Sequence, residues 1–122
     1  MATISEELLA IEKEFWTGGK AYYEEHIDKE CLVAFPDMAG AMGNADIAAT
    51  VKEGNRWQDL NLEAVDAVKP SQDVTIITYN VKARRANGEP YAALVSSGYV
   101  KRPDGWKMMF HAQTPLDTST DN

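Results

Sequence analysis

Few side chains in this sequence have reactive chemistry of their own. There is one cysteine, Cys31, and there are two histidines, His26 and His111. A lone thiol makes no intramolecular disulfide, and no Cys/His cluster has metal-ligand spacing. Neither a metal nor an organic cofactor is therefore expected. Cys31 opens an apolar run, Cys31-Leu32-Val33-Ala34-Phe35, and reads as a buried small hydrophobe. His26 sits among Glu24, Glu25 and Asp28 and reads as a solvated surface group. What remains is Ser97 with His111, which the strand register sets opposite each other, with Thr78 beside them. A serine nucleophile needs a base, a group that orients the base, and an oxyanion hole. No Gly-x-Ser-x-Gly elbow surrounds Ser97, and nothing in the sequence orients His111. The trio reads instead as part of a polar interface.

The chain that positions these residues is one domain long, at 122 residues. Hydrophobic residues make up 44% and charged residues 25%, the balance of a globular domain. Twelve Lys and Arg against 19 Asp and Glu leave a net charge of -7. That sign disfavours nucleic acid and anionic membrane surfaces as partners, since both call for a basic patch. No apolar run approaches the ~20 residues of a membrane span. Residues 1–7 carry no basic region leading into an apolar stretch, so the expected address is cytoplasmic.

Ile4, Leu8, Ile11 and Phe15 recur at helical spacing and end at Gly18-Gly19. A second short helix is expected from about Lys20 to Lys29, with Tyr23 and Ile27 on one face. The run from Cys31 to Phe35 reads as an edge strand stopped by Pro36-Asp37. The segment from Pro36 to Gly43 is apolar and broken by glycine, as in a tight hairpin or a lid. Asn44 starts a third helix that ends at Gly54. From Trp57 the period changes: Leu60, Leu62 and Ala64 alternate with polar residues. Strands at Val74–Arg85, Tyr91–Arg102 and Trp106–Thr114 follow, joined by Asn87-Gly88 and Pro103-Asp104-Gly105. This order predicts an α+β fold, three N-terminal helices packed on a curved, mainly antiparallel sheet. The domain spans residues 1–116, and residues 117–122 form a polar tail.

A two-residue loop at Asn87-Gly88 pairs Tyr79 with Ser96, Val81 with Leu94 and Ile77 with Gly98. A three-residue loop at Pro103–Gly105 pairs Val100 with Met108, Gly98 with Phe110 and Ser96 with Ala112. One sheet face then carries Ile77, Tyr79, Val81, Leu94, Ser96, Val100, Trp106, Met108, Phe110 and Ala112. The other carries Thr78, Val95, Ser97, Tyr99, Met109, His111 and Gln113, too apolar for free solvent and too polar for a dry core. Such a mixture suits a homodimer interface.

The element order resembles the nuclear-transport-factor-2-like superfamily, the cone-shaped fold of ketosteroid isomerases and small polyketide cyclases. The resemblance covers about residues 4 to 115. Its most specific piece is Val100-Lys101-Arg102-Pro103-Asp104-Gly105-Trp106-Lys107-Met108, which looks like the closing hairpin of these proteins. The Glu12-to-Trp16 region resembles part of their opening helix pair. Within the superfamily the chain looks most like a SnoaL-like group of unknown function. The resemblance implies a pocket in the unfilled space between helices and concave sheet face. Its candidate lining is Tyr23, Phe35, Met38, Met42, Trp57, Tyr79, Ser96, Met108 and Phe110. It should open between the Tyr23 helix, the segment from Pro36 to Gly43 and the sheet.

An isomerase-like mechanism needs a carboxylate base and hydroxyl donors in an apolar pocket. Tyr79 is the candidate donor, and Asp66 or Asp37 the candidate base. Asp66 points inward only if its strand is unbroken, and Asp37 reads equally as a turn residue. Two functional readings stand side by side. One is a small-molecule-binding protein for an apolar organic ligand, with or without weak isomerase-, cyclase- or hydrolase-like turnover. The other is a homodimeric interaction module whose pocket is vestigial.

Overall fold

The computed structural model describes residues 4–35, 38–50 and 57–116. Helix α1 spans Ile4–Thr17 and α2 spans Lys20–His26. Strands β1 (Ile27–Phe35) and β2 (Met38–Gly43) form a hairpin, followed by α3 (Asn44–Ala48). Four long strands complete the chain: β3 (Trp57–Ser71), β4 (Val74–Arg85), β5 (Pro90–Arg102) and β6 (Gly105–Pro115). The sheet order is β2-β1-β6-β5-β4-β3, antiparallel throughout except where β1 runs parallel to β6. The fold is thus the expected α+β arrangement, helices over a mostly antiparallel sheet.

Three element expectations shift. The third helix ends at Ala48, and Gly54, its expected end, lies outside the described residues. The second helix ends at His26, and the first strand begins at Ile27 rather than Cys31. That strand is not at the edge: the segment after it pairs as β2 and takes the edge position. Residues 36 and 37, and with them Asp37, lie outside the described residues.

Helix α1 turns Leu8, Phe15 and Trp16 into the core, and Glu12 with them. Phe15 meets Tyr22 and Tyr23 of α2 edge-on at 5.1 and 4.9 Å. The Tyr23 hydroxyl donates to the Phe15 carbonyl at 2.6 Å, which ties the two helices.

The register between β4 and β5 differs from the sequence expectation by one residue. Tyr79 pairs with Val95, Ile77 with Ser97 and Val81 with Ala93. The cause is the turn. Arg85 N–H donates to the Glu89 carbonyl and Gly88 N–H to the Arg85 carbonyl, both at 2.8 Å. The loop is therefore three residues, Ala86-Asn87-Gly88, with Gly88 at φ 92°, the hairpin type that closes on a left-handed glycine. A one-residue slip exchanges the faces of every residue on the partner strand.

At the last hairpin Arg102 pairs with Gly105, a loop one residue shorter than expected. An irregularity between Gly98 and Tyr99 absorbs the difference by inserting Met109, so Gly98 pairs with Phe110 and Ser97 with His111 as expected. The inner, helix-facing surface thus carries Ile77, Tyr79, Val81, Ala93, Val95, Ser97, Tyr99, Met108, His111 and Gln113. The outer surface carries Thr78, Leu94, Ser96, Gly98, Phe110 and Ala112.

Candidate functional site

Between the helices and the inner sheet face lies a cavity of about 490 Å³, within the usual range for small-molecule sites. The helices contribute Phe15, Trp16 and Tyr23, and the segment after α3 contributes Thr50. Phe35, Trp57, Arg85, Tyr91, Met108, His111 and Gln113 come from five strands. The walls are mainly aromatic. Trp16 and Trp57 meet edge-on at 5.1 Å, and Tyr91 lies 5.3 Å from Trp57.

The polar groups form a chain from the cavity wall into the core. The Tyr91 hydroxyl donates to Gln113 Oε1 at 2.6 Å. Gln113 Nε2 lies 3.0 Å from His111 Nε2. An amide nitrogen only donates, so His111 Nε2 is the acceptor and the ring proton sits on Nδ1. Nδ1 is 2.8 Å from Ser97 Oγ and 3.9 Å from Glu12 Oε1. Burial holds the His111 pKa below the ordinary histidine value, and the nearby Glu12 carboxylate pulls the other way.

Glu12 is fully buried. Tyr79 and Tyr99 each donate a hydroxyl to it, one to each carboxyl oxygen. Trp16 Nε1–H in turn donates to the Tyr79 hydroxyl at 3.0 Å. Burial first, and the Glu12 charge second, push both phenols well above their ordinary pKa. A buried acid with both oxygens engaged avoids the penalty of an unsatisfied charge. The set fixes α1 against β4, β5 and β6 and presents a neutral, pre-oriented imidazole at the cavity.

The sequence matches no family model and no curated protein. Solved structures do match. A protein of unknown function described as like nuclear transport factor 2, from Shewanella oneidensis, superposes with a TM-score of 0.73 at 12% identity, covering 91% of this chain and 98% of that one. A candidate ketosteroid isomerase from Parabacteroides distasonis gives 0.72 at 15% identity, covering 95% and 90%. A protein of ketosteroid isomerase-like fold from Catenulispora acidiphila, in complex with trimethylamine, gives 0.61 at 12% identity, covering 94% and 88%. The fold is nuclear-transport-factor-2-like.

Within this fold the expected pocket residues divide. Tyr23, Phe35, Trp57 and Met108 line the cavity. Met42 packs against the core from β2, opposite Cys31. Tyr79 is on the inner face but behind the lining, its hydroxyl spent on Glu12. Ser96 and Phe110 are on the outer face: Ser96 faces Thr78 Oγ1 at 3.4 Å, and Phe110 lies opposite Leu32. The Met38 side chain is outside the described residues.

The expected interface set also divides. Val95, Ser97, Tyr99, His111 and Gln113 face inward, under the protein's own helix α1. Only Thr78 and the inserted Met109 remain outside. Asp66 is exposed on the outer face, because β3 slips between Ala64 and Asp66 and pairs Asp66 with Thr78. Its carboxylate accepts the Ala67 N–H at 2.8 Å, so it offers no base to the cavity. Cys31 is buried, and burial raises its thiol pKa to about 12.

Sequence reasoning missed Glu12, Trp16, Arg85 and Tyr91. For Glu12 a signal existed. It follows Leu8 by four residues and precedes Phe15 by three, which puts a carboxylate in the middle of the apolar stripe.

Proposed function

We propose that this protein binds a small, largely apolar organic molecule in the cavity between α1, α2 and the inner sheet face. The observation that supports this most is the cavity itself: aromatic walls around one short row of converging polar groups, Tyr91, Gln113 and His111. Sites for organic ligands combine these two features. The aromatic side chains hold the apolar body. The second N–H of the Gln113 amide and the Tyr91 hydroxyl meet a carbonyl or hydroxyl at its polar end, while His111, with both ring nitrogens engaged, holds that amide in place. A thermal-shift screen of small organic molecules tests the reading, because a ligand bound only by the folded state raises its stability by mass action. A concentration-dependent rise that is reduced in Trp57→Ala supports it. A screen of apolar carbonyl compounds and alcohols that leaves the midpoint unmoved refutes it.

We also infer a homodimer, now through the outer sheet face. Leu32, Phe110, Gly98, Ile76 and Val68 form one cross-strand row over five strands. Leu32, Ile76 and Val68 are 50, 37 and 61% exposed. No helix covers this row among the described residues. A continuous apolar row of this kind is unusual on a monomer, and an antiparallel sheet face can mate with its own copy about a two-fold axis.

A further inference from the structure

Arg85 and Arg84 are adjacent in β4 and face opposite ways, with different fates. Arg84 points outward, 3.5 Å from Asp59, and donates to the Gly88 carbonyl at 3.2 Å. Arg85 points inward and lines the cavity. Its guanidinium carbon lies 5.3 Å from the centre of the Trp57 ring and 5.0 Å from that of Tyr91. Among the described residues no carboxylate comes within ion-pair distance of it. The chain has 19 acidic residues, yet none of them is among the described residues lining the cavity. His111 is neutral there, so Arg85 is the one formal charge on the described wall.

The main chain at Arg85 is anchored, and the side chain reaches the cavity from an exposed position at its rim. The Arg85 N–H and C=O both close the β4–β5 loop, and Trp57 is its cross-strand partner. The guanidinium carbon lies over both rings, and the group carries five N–H donors in a plane. A planar carboxylate is the complementary acceptor, held by two parallel hydrogen bonds.

We propose that the ligand is an organic carboxylate: a small acid whose flat apolar body lies against Trp57, Tyr91 and Trp16 while its carboxylate pairs with the edge of Arg85. This deepens the small-molecule reading and rests on it. The same site disfavours organic cations. Aromatic walls alone would attract a cation, but here the guanidinium already occupies two of the ring faces and repels a second positive charge.

The test compares three probes that share one ring system and differ in charge: indole-3-acetate, indole-3-acetamide and tryptamine. Calorimetric titration of the full chain should give indole-3-acetate at least tenfold tighter than indole-3-acetamide, with tryptamine weakest. In Arg85→Gln the ratio of acetate to acetamide affinity should fall to within about twofold. Arg85→Lys keeps the charge but loses the fork, and should leave an intermediate ratio. It also stands in if the glutamine variant fails to fold. Three probes binding the native protein within twofold of one another would overturn the carboxylate site and leave the small-molecule reading in place. So would a preference for the acetate that persists in Arg85→Gln. Failure of all three to bind overturns the carboxylate proposal, and the wider reading is then decided by the broader neutral screen.

Discussion

Tyr99 on β5 donates its hydroxyl to the carboxyl group of Glu12 on α1, a residue 87 positions earlier. Tyr79 does the same from β4. One carboxyl thus ties the first helix to the middle of the sheet. Replacing it should strand two buried phenols, each left unsatisfied at about 1–3 kcal/mol. Urea unfolding should show Glu12→Ala destabilised by about 2–5 kcal/mol. Adding Tyr79→Phe and Tyr99→Phe to Glu12→Leu should recover part of the loss, because the carboxyl and both phenols then leave together, while Trp16 Nε1–H gives up the Tyr79 hydroxyl as its acceptor. A Glu12→Ala protein as stable as the native one would contradict this role.

The His111 pKa lies below the ordinary value of about 6.5. As pH falls through about 6.5, the unfolded chain takes up a proton at this position before the folded chain does. The unfolded state binds more protons in that window, so stability rises with pH there. The contribution is complete above about pH 6.5 and is lost as pH falls toward the folded-state pKa. Thermal midpoints between pH 5 and 8 should therefore slope less in His111→Gln than in the native protein. His26 is present in both proteins, so the difference isolates His111. Equal slopes would contradict the assignment.

Most of the fold was legible because its signals are local. The stripe of Leu8, Ile11 and Phe15 marks a helix. The β-branched run from Val74 and the two Gly-containing turns mark a meander. Face assignment failed because it depends on loop length. Asn87-Gly88 is compatible with a two- or a three-residue loop, and the choice decides whether Ser96 or Ser97 faces the helices. The serine–histidine pair was read correctly as neighbours, Ser97 opposite His111, yet placed on the wrong side of the sheet. Asp66 turned outward through a bulge at Val65, which no turn residue announces. Arg85 was invisible as a site residue because a charged strand end looks solvated until the Trp57 and Tyr91 rings are seen beside it.

Thr75 is fully buried opposite Tyr99, and its hydroxyl has no hydrogen-bond partner among the described residues. Valine has the same shape without the unsatisfied group. Thr75→Val should raise stability by about 1 kcal/mol in urea unfolding. A loss of stability would mean that the hydroxyl finds a partner in solution.

The apolar row on the outer face makes its own prediction. Ile76→Asp places a carboxylate at the middle of the row, opposite Gly98. In a symmetric dimer the same charge then enters from both copies. Sedimentation equilibrium should give a dimer for the native chain at micromolar concentration and a monomer for Ile76→Asp, with the inner core and its unfolding cooperativity retained. A native monomer at that concentration would refute the interface.

The central claim, a ligand held between the first two helices and the sheet, can be read from the indole N–H signals of the three tryptophans in a ¹⁵N-correlated NMR spectrum. Trp16 and Trp57 line the cavity, and Trp106 does not. A compound that raises the thermal midpoint should move the Trp16 and Trp57 signals in a saturable way and leave Trp106 in place. Stabilising compounds that move only Trp106, or none of the three, would contradict binding in this cavity.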